Sequence, residues 1–488
     1  MYNGDDQARL AVIVDADTDL PLRGISHEYP QDSGRPPFGR DYDRLIHTPA
    51  FRRLQGKTQV VTPGQSDFFR TRLTHTIEVA QIARRLAYRL CQNSGESHAI
   101  EAADICEAAA IVHDFGHPPF GHIGEQALHS ALRDVSAERF WQLDFERLGG
   151  YEGNAQSFRQ AVWSFRRSEV EGRGLQLTRA VLDAFIKYPW SFADITPKLG
   201  KWNFYPSESW AFDWVRKGVS GIGKSFEAQV MDWSDDVAYT THDLEDWWHA
   251  GYIPLTMLSQ SKTSRSRLAK QTIASWRKTG RIRDPASDPS RDPSEGELTW
   301  TESQVTDTIE SLFETGGAFE KFRQLGTEYD GSSEAKEAMR HLKRKLFKRF
   351  INESKAEGQL DRGRHQANLA INEAIRRENA ILKELVWNYV IEHPRMATHQ
   401  NGQRAVVSFL VKTYASLVLD DGMSSLDVLP RDRRERIRRL REHADQGASK
   451  YEILRLIADQ VAGMTDSYAI MMHQRLSGQV SGHINEFI

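Results

Sequence analysis

Residues Ala108–Glu125 read AAAIVHDFGHPPFGHIGE. The segment opens as an apolar helix and breaks at a Gly-His-Pro-Pro turn. His113, Asp114, His117 and His122 fall within a few turns of chain, and Glu125 closes it. Imidazoles and carboxylates this close, interleaved with Gly116, Pro118, Pro119 and Gly121, read as a site rather than a surface. An adjacent His-Asp at a helix end can hold one metal ion between a nitrogen and an oxygen. Neutral imidazole with carboxylate suits borderline divalent ions.

The flanking sequence is helical. Thr71–Arg89 places Leu73, Ile77, Ala80, Ile82, Ala83 and Leu86 at helical spacing, and His98–His113 is apolar enough to be a buried core helix. Further helices are expected over 124–132, 155–167, 177–188 (stopping at Pro189), 207–217 and 226–250. Beyond these lie 301–314, 334–353, 366–392, 403–415 and 450–476. Strand signals are scarce and no internal repeat is visible, so the expected class is all-α. Residues 1–45, rich in Asp, Gly and Pro, read as an irregular N-terminal segment. The stretch RIRDPASDPSRDPSEGE (281–297) reads as an exposed loop.

Bulk properties exclude several classes. A formal net charge of -3 over 488 residues gives no global attraction to nucleic acid or anionic membranes. Two cysteines, Cys91 and Cys106, argue against a disulfide framework. The N-terminus MYNGDDQARL lacks a signal-peptide pattern and no run approaches a membrane span, so a soluble cytoplasmic protein is expected.

Two other places carry chemistry. His75 stands at a helix start with Arg72 three residues before it on the same face. A lone helix histidine is more often structural, but an Arg beside a ligand His suits a phosphate-bearing substrate. In MDWSDDVAYTTHDLED (231–246), Asp235, Tyr239 and Asp243 recur every four residues and share one stripe. The bland reading is a solvated acidic face. Interleaved Met231, Trp233, Val237 and Ala238 argue for burial, and a buried carboxylate needs a partner such as a metal.

The order His75, His113-Asp114, Asp235 resembles the H…HD…D signature of HD-domain metal-dependent phosphohydrolases. The words RRLQGKTQV, RTRLTHTIEV, HDFGHPPFGHIGE, YEGNAQ, KYPW, DDVAYTTHDLED and VAGMTDSYA resemble more narrowly the deoxyguanosine triphosphate triphosphohydrolase branch. The likeness runs from about Arg44 to Ala250 and resumes near Ile453; 252–400 contributes little. The expected organisation is a phosphohydrolase core over 46–250, a helical lobe over 251–400, and C-terminal helices over 401–488 that pack back on the core.

The resemblance implies that His75, His113, Asp114 and Asp235 hold one divalent cation, magnesium, manganese or another first-row metal. It implies that His122 is catalytic with Glu125 orienting it, and that His117 contacts phosphate. Tyr239 and Asp243 would meet the deoxyribose, and Gln55 would lie near base and sugar. Arg72, Lys187, Tyr188 and Lys201 would line the triphosphate and sugar. The reaction would convert a deoxynucleoside triphosphate, dGTP or a broader set, to deoxynucleoside and tripolyphosphate. His122 would act as acid or base, with both roles open. Tyr239 against the sugar would exclude a 2′-hydroxyl. Relatives also imply a homo-oligomer and a single-stranded DNA or nucleotide effector. Two rival readings stand beside this one: an HD phosphohydrolase of another nucleotide phosphate ester, and a nucleotide- or nucleic-acid-binding regulator without turnover.

Other features read blandly. Asn154 is a helix N-cap or a site residue. The basic runs Arg431–Arg441 and Arg340–Arg349 read as solvated helix faces that can touch phosphates. Trp233, Trp247 and Trp248 read as core or subunit contact.

Overall fold

A computed structural model of the chain describes residues 12–14, 24–26, 36–59, 69–95, 98–164, 175–195, 200–219, 221–282, 299–358, 365–391, 394–419, 425–442 and 446–479. Among these residues the fold is all-helical apart from two short strand pairs, Val12–Val14 with Gly24–Ser26 and Ser354–Gly358 with Ala367–Ile371. The first pair is antiparallel. The chain divides into two compact units. One comprises Met1–Ser234, Gly358–Asn368 and His399–Ile488; the other comprises Asp235–Glu357 and Leu369–Thr398.

The first unit is built on the helix Ala99–Val112. Its alanines 102, 103, 108, 109 and 110, with Ile105, Ile111 and Val112, are buried. Small side chains around the whole circumference let other helices approach closely. Arg72–Asn93, Pro37–Ile46 and Arg179–Ala184 all pack on it. Pro37–Ile46 is a helix where the sequence reading expected irregular chain; Pro37 starts it, and Phe38, Asp41 and Leu45 are its buried stripe. Asp41 is fully buried and accepts, at 2.8 Å, the amide of Thr178, which is the N-cap of the helix Arg179–Ala184.

A second apolar cluster joins the helix Gly121–Ala137 to the C-terminal helices. Leu128, Leu132 and Val135 pack among Leu410, Val411, Tyr414, Ile457 and Val461. The helix expected over 450–476 is two helices, Gln446–Ala462 and Asp466–Leu476. The break falls at Gly463, and Thr465 caps the second helix by accepting the Tyr468 amide. Arg159 ties these helices down. Its guanidinium is buried against Asp459 at 3.0 Å and Glu208 at 2.6 Å, and also reaches Glu452.

Two other expected helices are altered. The one begun at 155 starts at Gly153, is capped by Glu152 rather than Asn154, and becomes a π-turn over Gln160–Ser164. Residues 165–167 lie outside the described residues. The helix expected to reach Tyr188 ends at Ala184, because the amides of Lys187 and Tyr188 donate to Asn203 Oδ1 at 2.9 and 3.1 Å instead of continuing the helical ladder.

In the second unit, Leu255–Gln260 and Lys262–Lys278 are helices that the sequence reading left unassigned. The segment expected as one helix over 366–392 begins as the strand Ala367–Ile371, followed by the helix Glu373–Val386. Trp248, Trp276, Phe313, Phe319, Phe322 and Leu346 are buried there. Glu328 accepts Trp248 Nε1 at 3.1 Å and the amides of Thr256 and Met257. Most of the expected loop at 281–297 lies outside the described residues. Trp233, Trp247 and Trp248 are all buried, as core residues. Cys91 and Cys106 are buried and form no disulfide.

Candidate active site

The turn after Val112 is shaped by close backbone contact. A Cβ on Gly116 would lie 2.1 Å from the Gly153 carbonyl, and one on Gly124 would lie 1.8 Å from the Pro119 carbonyl. Only glycine fits either place. Ser157 Oγ accepts the Gly116 amide at 2.9 Å and donates to the His113 carbonyl at 2.8 Å. Tyr151 donates its hydroxyl to the Gly116 carbonyl. Phe120 then takes a left-handed φ of 66°, and the chain enters the helix that carries His122 and Glu125.

His75 and His113 meet at this turn, with ring centroids 6.1 Å apart. His75 sits in the first turn of Arg72–Asn93, whose start is fixed by a capping box between Thr71 and Thr74. The Nδ1 of His113 lies 2.6 Å from the Ala110 carbonyl. A carbonyl only accepts, so Nδ1 carries the proton and Nε2 presents the lone pair. His75, His113 and Asp235 each offer a ligand atom, and the three atoms lie within 4.8 Å of one another. Asp235 directly follows Ser234, the last residue of the first unit's share of the helix Phe226–His249. Asp114 presents Oδ1 3.4 Å from His113 Nε2 and commits Oδ2 to Arg72 at 2.9 Å. Burial alone would raise the Asp114 carboxyl. His113, Arg72 and His117 outweigh it and hold the group well below the usual carboxylate range. Two imidazoles and ionised carboxylates form a donor set that fits one divalent metal ion.

A second cluster adjoins the first. His117 Nδ1 is 2.9 Å from Asp114 Oδ1, and the His117 and His122 rings meet edge-on at 5.8 Å. His117, His122 and Glu125 bring one nitrogen or oxygen each within 4.8 Å of one another. His122 retains solvent access although protein surrounds it. Burial, with Lys201, His117 and Arg72, lowers its pKa to about 4 against the pull of Glu125. Glu125 accepts the Gly153 amide at 3.2 Å. Burial would raise its pKa, but His122, Lys201 and His117 hold it low.

Two family models match this chain: the HD domain over residues 72–171 and the phosphohydrolase-associated domain over 369–475. A deoxyguanosinetriphosphate triphosphohydrolase-like protein of Streptomyces coelicolor is 33% identical over 91% of this chain and 93% of its own length. Proteins of the same description from Corynebacterium glutamicum and Brucella ovis are 32% and 30% identical over 89% and 93% of this chain, and over 89% and 92% of their own lengths. The chain belongs to this HD-domain family. It is accordingly a metal-dependent phosphohydrolase by fold. No helix among the described residues is long and apolar enough to cross a membrane.

In this HD-family protein Lys201 acts electrostatically on both His122 and Glu125. Lys201 interacts electrostatically with Glu125, Tyr188 and Lys187. Its backbone is held by Trp190 Nε1, which donates to the Lys201 carbonyl at 2.6 Å. Burial pushes the Tyr188 phenol up to about 12. Lys187 Nζ lies 3.4 Å from Asp232, which also takes Lys224 at 2.6 Å. The first unit thus gathers His75, His113, Asp114, Arg72, His117, His122, Glu125, Lys201, Tyr188 and Lys187. Gln55 is exposed on the turn Leu54–Gly56. Tyr239 and Asp243 continue the Asp235 helix into the second unit, half-buried and buried respectively.

The sequence reading missed Asn203, Ser157 and Tyr151, which position site residues through their backbones. No spacing signals such roles, since each depends on a contact far away in sequence. Asn154 donates to Glu152 Oε1 at 2.8 Å, and Glu152 is the cap.

Proposed function

We propose that the protein hydrolyses deoxynucleoside triphosphates, dGTP or a broader set, to deoxynucleoside and tripolyphosphate. One observation supports this reading: a histidine-carboxylate metal set adjoins a His-Glu pair on which Lys201 acts electrostatically. An ester with a single phosphate has less use for Arg72 and Lys201 together. A divalent ion held by His75, His113, Asp114 and Asp235 would supply Lewis acidity toward the α-phosphate.

The protein's own groups do the rest. Arg72, Lys201 and Lys187 take up the phosphate charge that builds along the chain of oxygens. His117 contacts phosphate. His122, neutral at neutral pH, accepts a proton from the attacking water, and Glu125 steadies the imidazolium that forms. Water oxygen bonds to the α-phosphorus, the bond from phosphorus to O5′ breaks, and the water proton ends on O5′. Tyr188 lines the triphosphate and sugar, Gln55 lies toward base and sugar, and Tyr239 and Asp243 meet the deoxyribose, Tyr239 leaving no room for a 2′-hydroxyl.

The test is product analysis. Each of the four dNTPs, GTP and a monophosphate is incubated with the protein and manganese or magnesium, with and without single-stranded DNA or a second dNTP, and the products are separated by ion exchange. Tripolyphosphate and deoxynucleoside are expected, with GTP much slower than dGTP. Orthophosphate or a nucleoside diphosphate would overturn the reading in favour of another phosphate ester. No product under any condition would favour a regulator. The homo-oligomer belongs to the same reading, and sedimentation checks it.

A further inference from the structure

Apart from Gln55, two sequence words have no part in this chemistry: RRLQGKTQV (52–60) and VAGMTDSYA (461–469). They meet each other beneath the catalytic turn. A Cβ on Gly56 would lie 2.8 Å from Thr465 Cγ2, so the Gly56 backbone packs directly against the Thr465 side chain. Lys57 is buried, and its Nζ donates to the carbonyls of His117 and Ala462. Asp466 is fully buried. Its Oδ1 accepts the Phe120 amide at 2.9 Å, and its Oδ2 accepts the Thr58 amide at 3.1 Å together with the Thr58 hydroxyl.

Each side of Asp466 leads to half of the site. Thr58 forms a bridge with Thr71, the residue that caps the helix carrying Arg72 and His75. The Arg72 amide also donates to the Lys57 carbonyl. On the other side, Phe120 immediately precedes the helix of His122 and Glu125 and is held at a left-handed φ of 66°. A bulky residue does not keep that conformation unless its surroundings impose it. The amide hydrogen bond to Asp466 is one such restraint.

We infer that Asp466 is a positioning residue that locks the His75 half and the His122 half of the site in register, acting from the C-terminal end of the described chain. The inference rests on the site reading above. A carboxylate suits the task because both its oxygens only accept, so it takes all three donors at once. An asparagine has one acceptor oxygen and must release either Phe120 or Thr58.

The test compares Asp466→Asn with Thr58→Val in the metal-loaded full chain. The asparagine variant is expected to keep its metal content and lose about 10- to 100-fold in kcat, with KM changed by less than about threefold, as for misplaced catalytic groups. Its pH profile of kcat is expected to shift, since His122 sits differently. Thr58→Val removes only the hydroxyl leg and is expected to show a smaller loss in kcat. Amide exchange is read in parallel, and residues 117–123 are expected to exchange faster in Asp466→Asn while Ala99–Val112 does not change. Unchanged kcat and exchange would overturn the inference, as would a loss of activity only in proportion to unfolded protein. If the parent releases no tripolyphosphate, the functional reading fails. Amide exchange then still decides whether Asp466 holds the turn.

Discussion

At His122, burial and nearby cations hold the imidazole near pKa 4, so the ring is neutral at neutral pH, as the proposed base role requires. Replacing His122 by Ala is expected to lower kcat by about 10²- to 10⁴-fold while metal content and KM change little. Glu125→Gln, which keeps an acceptor for the Gly153 amide, is expected to lose less. Steady-state kinetics with metal analysis checks both; equal kcat in parent and His122→Ala would remove His122 from the chemistry. Asp41 makes a separate prediction, on stability. Burial raises its pKa from 3.8 to about 6. The folded state therefore binds this proton more tightly than the unfolded state does. Stability falls as pH rises from about 4 to about 6 and levels off above. The size of the term is about 3 kcal/mol. Asp41→Asn keeps an acceptor for Thr178 and cannot titrate. The difference in unfolding midpoint between variant and parent should change across that window; parallel profiles would rule the assignment out.

At the scale of the element, two glycines separate local propensity from tertiary fit. Gly39 lies inside the helix Pro37–Ile46 with nothing within 4 Å of a Cβ, so Gly39→Ala should stabilise by about 0.5–1 kcal/mol. Gly116 faces the Gly153 carbonyl at 2.1 Å and the Ser157 amide at 2.3 Å, both backbone. Gly116→Ala must push the turn from the helix Gly153–Arg159 and should lower the unfolding midpoint and metal affinity together. The same contrast explains what the sequence disclosed. Helices with a clear apolar stripe or a wholly apolar run, Arg72–Asn93 and Ala99–Val112, were readable within a few residues of their ends. Spacing put His75 and His113 near helix ends, while their role as ligands came from the family resemblance. Pro37–Ile46 was hidden by its polar, Pro-flanked composition. Lys262–Lys278 was hidden by its many cations, of which Arg265 is buried and pairs with Glu310 on the helix Glu302–Phe313. The stop at Ala184 was invisible because Asn203, far along the chain, takes the amides. The break at Gly463 had a local sign, a Thr followed by an acid, that continuous periodicity obscured.

Across the whole first unit, the two regions matched by family models are joined by one buried ionic cluster. Arg159 lies in the HD-domain region and Asp459 and Glu452 in the associated region, Asp459 being 300 residues further along. Gln156, one turn before Arg159, donates to Asp459 at 2.7 Å. The same short helix carries Ser157 and Gly153, which shape the catalytic turn. A cluster of this kind adds little net stability when complete, because desolvation of the charges offsets their attraction. Breaking it is another matter. Arg159→Met leaves Asp459 and Glu208 buried without their principal cation, and a loss of about 3–5 kcal/mol is expected. Asp459 is held below its usual pKa mainly because Arg159, aided by its hydrogen bonds and by Arg433, overcomes the effect of burial. Without Arg159, burial raises it, and protonation at low pH relieves the penalty. The gap in unfolding midpoint between Arg159→Met and parent should therefore narrow from pH 8 to pH 5. A gap of constant size would mean that the guanidinium acts by filling space. Amide exchange at pH 8 should rise in the variant both at Gly153–Arg159 and at Gln446–Ala462, since each helix loses its ionic anchor to the other and keeps only the Gln156–Asp459 hydrogen bond.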